Sequence, residues 1–261
     1  MNNKKIKMIV TDLDGTLLKK NKTTSEYTKE IFKECICRGL IVVFATARPE
    51  RATRQWQIDK GIYVISNNGA NITKNSNEVH SIPISESTKQ AVLKSIVGDT
   101  NIVGLTAETG KLLYTRENPS AWPIRGEDGG WNPVMYDFIV PPKEQIYKLS
   151  IECGSPKVVS DILSEFLELH VFPNSGEYWY QITHKNATKL NAIIYLANML
   201  GIEMKDIASF GDDFNDVAML KGCGIGVAVD NAINEAKKVA DYICDSNDND
   251  GVARWLEENV L

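Results

Sequence analysis

The sequence predicts an α/β protein whose parallel-sheet core is interrupted by an inserted α+β block. Three observations carry this. Short apolar, β-branched runs alternate with amphipathic stretches from residue 8 to about residue 70. The alternation breaks down between about Asn71 and His184, and it resumes from Ala187 onward. Strand–helix alternation is the pattern of right-handed βαβ crossovers, and a core that stops and restarts encloses a second domain. We place the core at residues 1–78 and 185–261 and the insertion at 79–184.

The elements follow in order. KMIVTDL is a buried parallel strand, apolar throughout and ended by acids and Gly15. TSEYTKEIFKECICRGL is a helix: Thr24 or Ser25 caps it, Ile31, Phe32, Cys35 and Ile36 form its stripe, and Gly39 stops it. LIVVFATAR is a second buried strand. PERATRQWQIDKG reads as a helix from Pro49 to Gly61, since proline suits a first helical turn. YVISNNGA is a third strand.

In the mixed block that begins at about Asn71, ANITKNSNEVHSIPI reads as a hairpin turning at Asn75–Asn77. STKQAVLKSIV and SPKVVSDILSEFLEL read as helices. NIVGLTAETGKLLYTR, YKLSIECG, HVFPNS and YWYQITH read as strands, and residues 117–133 as a long loop rich in Gly, Pro and Trp. The core then resumes with the helix ATKLNAIIYLANMLG, the strand DIASFGDD, the short helix FNDVAMLKG, the strand GIGVAV, the helix NAINEAKKVA, the short strand DYIC and the C-terminal helix DGVARWLEENVL.

Composition narrows the function classes. With 261 residues, 43% apolar and 24% charged, the chain has the profile of an ordinary globule with ample core. The net charge of −5 argues against nucleic acid as the main partner. Cys35, Cys37, Cys153, Cys223 and Cys244 follow no zinc spacing and read as reduced thiols of a cytoplasmic protein. No apolar run reaches membrane-spanning length, and no secretory signal is evident. We expect a monomer or a weak homo-oligomer.

Polar clusters fall at the C-terminal ends of expected strands: Asp12 and Asp14, Thr46 and Arg48, and Asp212 and Asp213 with Asn215 and Asp216. Lys189 starts the helix where the core resumes. In open parallel sheets this edge is where ligands bind. Taken singly, an Asp-x-Asp is an ordinary turn, Thr46 a helix cap, Lys189 a surface lysine and GDDFNDVAML a helix start capped by Asp213. Four such features in order, all at ligand-facing ends, make those readings poor. Carboxylates from separate strands can converge on one cation, and oxygen donors with few His and no thiolate pattern point to Mg2+.

DLDGT, then ATAR, then Lys189, then GDDFNDVAML resembles the four ordered motifs of the haloacid dehalogenase (HAD) superfamily. NAINEAKKVADYI, NDNDGVA and the insertion after NNGA resemble its Cof-type branch with a C2-type (IIB) cap. The resemblance implies a Rossmann-like core and a Mg2+-dependent phosphatase acting on small phosphomonoesters, sugar or nucleotide-related. It implies Asp12 as nucleophile and Asp14 as general acid and base. For the metal it implies Asp12, the backbone carbonyl of Asp14, and Asp212, with Asp213 and Asp216 close by; the Asp14 side chain would then be left to carry a proton. For the transferring phosphoryl group it implies Leu13 N–H, the Thr46 hydroxyl, Ala47 N–H, Lys189 and Asn215. The sequence departs from the family's pattern at Ala47 and Leu190, where glycine is usual, and at Asp230, where glycine is frequent.

A sugar phosphomutase and a non-catalytic phospho-ligand-binding protein are the alternatives; isomerised sugar phosphate or binding without turnover would identify them. The glycines at 222, 224 and 226 do not make a dinucleotide site, because Val227 and Val229 stand where a third glycine belongs. Trp122, Trp131, Tyr178, Trp179 and Tyr180 supply either the core of the insertion or a substrate wall. Arg125 and His184 are either surface and core residues or substrate contacts.

Overall fold

The computed structural model describes residues 6–117, 133–173 and 178–261, the side chains of Leu163 and Pro173 excepted. The expectations for Trp122, Arg125, Trp131 and most of the loop at 117–133 lie outside the described residues. The chain forms two compact units: Met1–Arg48, Arg54–His80 and Thr188–Leu261, and Pro49–Thr53 with Ser81–Ala187.

In chain order, the first unit opens with β1 (Met8–Thr11), α1 (Glu26–Cys37), β2 (Ile41–Ala45), β3 (Tyr63–Ser66), β4 (Asn71–Lys74) and β5 (Asn77–Ser81). The Ser25 hydroxyl accepts the Thr28 N–H at the start of α1. The β4–β5 turn uses two left-handed residues, Asn75 and Ser76, as a tight hairpin requires. The expected helix over Pro49–Gly61 is instead a run of 3-10 turns over Glu50–Trp56. Tertiary contacts override propensity here: Pro49–Thr53 belongs to the second unit, where Arg51 is drawn into a buried fork with Glu108.

The second unit contains α2 (Glu86–Gly98), β6 (Ile102–Glu108), β7 (Leu113–Thr115), β8 (Pro133–Met135), β9 (Lys148–Cys153), α3 (Pro156–Glu165), β10 (Leu169–Pro173) and β11 (Trp179–His184). Its sheet runs β10-β11-β9-β6-β7-β8, antiparallel except for the β7–β8 pair. Val92, Leu93 and Ile96 of α2 and Val159 and Ile162 of α3 pack with Leu105, Ala107, Leu149, Ile151 and Ile182 of the sheet. This is an α+β unit. The strand β8 has no counterpart in the sequence reading.

The first unit then resumes with α4 (Lys189–Leu200), β12 (Ile207–Gly211), α5 (Val217–Gly222), β13 (Ile225–Val229), α6 (Asn234–Val239), β14 (Tyr242–Cys244) and α7 (Gly251–Asn259). Its sheet order is β14-β13-β12-β1-β2-β3-β4-β5, parallel from β14 through β3. β1 alternates: Met8 and Val10 join a cluster with Ala192, Ile193 and Leu196 of α4, while Ile9 joins Phe32 of α1 and Leu256 of α7 on the other face. Both faces are covered, so the central strands are apolar throughout. From β1 the chain winds to β2 and β3 on one side, and from β12 to β13 and β14 on the other. The β1–β12 junction is therefore the topological switch point, whose C-terminal edge binds ligands in sheets of this kind. No helix among the described residues is long and apolar enough to cross a membrane.

Candidate active site

Asp12 leaves β1 and Asp212 leaves β12, and the two strands are paired side by side, Thr11 opposite Phe210. The Asp12 N–H extends the ladder to Phe210 O at 3.0 Å. Two acids 200 positions apart in sequence thus leave adjacent strands at one edge.

Lys189 is fully buried at the first position of α4, where the Thr188 hydroxyl caps the helix by accepting the Asn191 N–H. Its ammonium donates to Asp12 Oδ1 and to Asp216 Oδ1, each at 2.6 Å. An ammonium has three N–H groups, so one remains for a ligand. Asp216 Oδ2 accepts the backbone N–H groups of Asp212 (2.9 Å) and Asp213 (3.1 Å). Asp212 Oδ1 accepts from the Thr16 hydroxyl at 2.6 Å. Gly15 makes that approach possible: its φ is +84°, and a β-carbon there would lie 2.4 Å from Asp212 Oδ2.

The electrostatics of the cluster suit a divalent cation. Asp12, Asp212 and Asp216 each offer an oxygen within 4.8 Å of the others. Three carboxylates against one ammonium leave two negative charges. Burial pushes the Asp12 carboxyl up, and Asp216 and Asp212 add to this against the pull of Lys189. Burial, then Asp216, pushes Asp212 up to about 7. Burial disfavours the Lys189 charge, but Asp12 and Asp216 outweigh it and hold the lysine above its ordinary value. A divalent cation would neutralise the remainder, and the donors are the hard oxygens that Mg2+ takes. Asp216 has both oxygens engaged, so Asp12 and Asp212 are the carboxylates best able to turn an oxygen to a metal.

The Asp14 carboxylate stands outside the acidic cluster, and two cations engage it. Arg48 Nε donates to Oδ2 at 2.5 Å and Arg48 Nη2 to Oδ1 at 2.9 Å, while Lys22 Nζ reaches Oδ1 at 2.6 Å. Burial works against the Asp14 charge, but Arg48 and then Lys22 outweigh it and hold the carboxyl at about 2. Only the backbone carbonyl of Asp14 remains as the group the resemblance gives to the metal.

The other expected residues gather at the same edge of the sheet. Thr46 is buried, and its hydroxyl accepts the Arg48 N–H at 3.1 Å. Ala47 follows it, half-buried. The Leu13 side chain is fully buried in the core, so only its backbone can serve a ligand. Asn215 Nδ2 donates to Asn68 Oδ1 at 3.1 Å. Asp213 accepts the Phe214 N–H, and Asp230 pairs with Lys237 at 3.5 Å.

The sequence reading gave no role to Lys22, Thr16 or Asn68, and left Arg48 without one. Asn67 and Asn68 both have positive φ, the Asn68 N–H donates to Thr46 O and the Asn67 N–H to Arg48 O. Asparagine tolerates that conformation, so the Asn-Asn-Gly run was the available signal.

Residues 9–256 match the family model described as haloacid dehalogenase-like hydrolase. The chain belongs to the haloacid dehalogenase-like hydrolases. This hydrolase is 26% identical over 280 residues to the 5-amino-6-(5-phospho-D-ribitylamino)uracil phosphatase YwtE of Bacillus subtilis, with 97% of this chain and 98% of YwtE covered. Its fold is similar to that of BT1666 from Bacteroides thetaiotaomicron, a phosphatase of the HAD superfamily, with a TM-score of 0.86 at 21% identity, covering 100% of this chain and 97% of the other. The HAD subclass IIB sugar phosphatase BT4131 is similar at a TM-score of 0.78 and 19% identity, covering 97% and 98%. The hydrolase is of phosphatase type.

Proposed function

We propose that this hydrolase is a Mg2+-dependent phosphatase of small phosphomonoesters, working through an aspartyl-phosphate on Asp12. The observation that carries the proposal is the buried Lys189 ammonium held between Asp12 and Asp216 at 2.6 Å from each. It keeps a carboxylate nucleophile fixed at the switch-point edge and has an N–H left for a phosphoryl oxygen.

Asp12 attacks phosphorus as the P–O bond to the leaving alcohol breaks. Asp14 is the acid–base group of this reading: it gives the departing oxygen a proton and takes one from the water that hydrolyses the aspartyl-phosphate, and Arg48 and Lys22 favour its carboxylate, the form that serves the second of these steps. Lys189, the Thr46 hydroxyl, the N–H groups of Leu13 and Ala47, and the Asn215 amide bind the transferring group. Preorganised donors of this kind commonly contribute on the order of a hundredfold or more each. Asp12, Asp212 and the Asp14 carbonyl would hold Mg2+, which when bound offsets the charge of the carboxylates and of the phosphoryl oxygens. The inserted unit would act as a cap that selects the leaving group. The substrate would be a sugar phosphate or a nucleotide-related phosphate, in keeping with the substrates named for BT4131 and YwtE.

The test is phosphate release from p-nitrophenyl phosphate and from a panel of phosphorylated metabolites, with Mg2+ and with a chelator. The expected result is Mg2+-dependent release that Asp12→Asn abolishes. Full activity in Asp12→Asn would remove the mechanism.

A further inference from the structure

We propose that Asn68 is a positioning residue for Asn215, holding its side-chain amide so that one N–H is kept for the transferring phosphoryl group; this rests on the phosphoryl-binding role proposed for Asn215 above. An asparagine amide carries two N–H groups on its nitrogen. Asn215 Nδ2 donates one of them to Asn68 Oδ1 at 3.1 Å, which leaves the other for a ligand. With its amide turned over, Asn215 would set its own oxygen against Asn68 Oδ1, two acceptors with no proton between them. Asn68 Oδ1 therefore selects one orientation of the Asn215 amide. That selection matters because Asn215 is only half-buried, and the terminal torsion of an asparagine is broad.

Asn68 is itself immobilised. It is buried, and its backbone N–H donates to Thr46 O at 3.0 Å, while the Asn67 N–H donates to Arg48 O at 3.0 Å. The Thr46 N–H in turn donates to Ile65 O at 2.8 Å, so the end of β2 and the turn after β3 are locked together. The turn cannot slide, because Gly69 lies against the Thr188 carbonyl, where a β-carbon would come within 2.2 Å. One residue thus ties two of the proposed phosphoryl donors: its backbone holds the Thr46 segment and its side chain holds Asn215. The backbone of Asn68 is left-handed, with φ +58° and ψ +24°. Glycine adopts that conformation more readily than asparagine does, so the backbone alone does not call for the amide. The Asn215 contact does.

The test is a double-mutant cycle read as kcat/KM on p-nitrophenyl phosphate with Mg2+. Asn68→Gly removes the amide and keeps the left-handed turn. Removing a preorganised donor costs about 100-fold or more, so Asn215→Ala is expected to lose about that. Asn68→Gly leaves the donor in place but unheld, and misplaced groups lose up to about 100-fold, so a loss of at least about tenfold is expected. In an Asn215→Ala background, Asn68→Gly should change kcat/KM by less than about twofold, since the two residues act as one unit. A merely structural role would give the same factor in both backgrounds, and that result would overturn the inference. So would an Asn68→Gly enzyme as active as the parent when Asn215→Ala is impaired; the phosphoryl-binding role of Asn215 would then stand. Full activity in Asn215→Ala would remove that role, and the inference with it. Should Asn68→Gly fail to fold, a crystal structure of the unaltered enzyme with Mg2+ and orthovanadate decides. Asn215 Nδ2 is expected within hydrogen-bond distance of both Asn68 Oδ1 and a vanadate oxygen, and an Asn215 that meets vanadate only after leaving Asn68 would overturn the proposal.

Discussion

A β-carbon built on Gly69 would lie 2.2 Å from the carbonyl oxygen of Thr188. The turn after β3 therefore touches the cap of the helix that presents Lys189. Gly69 also has φ +105°, closed to other residues without strain. Gly69→Ala is expected to cost about 1–3 kcal/mol, as overpacking does, and to slow turnover by shifting Lys189. Denaturant midpoints and kcat check the two effects separately.

Lys189→Met would leave Asp12 and Asp216 buried without their common partner. Breaking a buried pair this way costs about 3–5 kcal/mol. Adding Asp216→Asn should recover much of the stability, because it removes one orphaned charge, while activity stays lost. Thermal melts of the single and double variants decide this. A single variant as stable as the parent would mean that the lysine's charge does not matter to the fold.

Metal binding should be visible without turnover. A ligand at about 100 times its Kd stabilises a folded protein by about 2.7 kcal/mol, so Mg2+ is expected to raise Tm and a chelator to reverse the rise. Asp212→Asn keeps an oxygen for the Thr16 hydroxyl but removes one charge from the crowded cluster. It is expected to raise the Tm of the chelated protein and to abolish the response to Mg2+.

Asn247 ties the C-terminal segment to the loop that follows Asp14. Its amide donates to Leu18 O at 2.7 Å, and its N–H donates to Asn231 Oδ1, while Asn231 Nδ2 donates to Gly15 O. Asn247→Ala leaves a buried carbonyl without that donor, a loss of about 1–3 kcal/mol. Faster hydrogen exchange over residues 15–20, relative to the rest of the unit, is the accompanying signal.

In the second unit, the Arg51 guanidinium grips Glu108 Oε1 at 2.6 Å and Oε2 at 2.7 Å, with both side chains buried. Arg51→Met alone is expected to be costlier in denaturant midpoint than Arg51→Met with Glu108→Met, since the double change leaves no buried charge without its partner.

Much of the core and the cluster was legible because each has a local signature. Apolar runs marked β1, β2, β3 and β12, and acids directly after two of those runs marked the edge where Asp12 and Asp212 leave adjacent strands. The partners of Asp14 were not legible. Lys22 lies in a loop of lysines and Arg48 follows a strand, and nothing in their spacing says that both close on one carboxylate. The stretch after Pro49 carries good helix formers, yet Arg51 is claimed by Glu108, 57 residues away, and such a long-range pull leaves no periodicity to read. The motif places Asp216 near the metal; its use as the acceptor for Lys189 and for two backbone N–H groups depends on folded geometry alone.

The position of β1 between β2 and β12 has a consequence for how the enzyme is made. Met8 pairs with Ile41 on one side and with Ile207 on the other. Ribosomes add about 5–20 residues per second, so the first pairing becomes available within seconds and the second only after roughly ten to forty. For most of that interval the nascent chain carries Asp12 without Lys189, and throughout it without Asp212 or Asp216. The cluster is thus completed in the last third of translation, and a chain stalled before Asp216 is expected to carry no phosphatase activity.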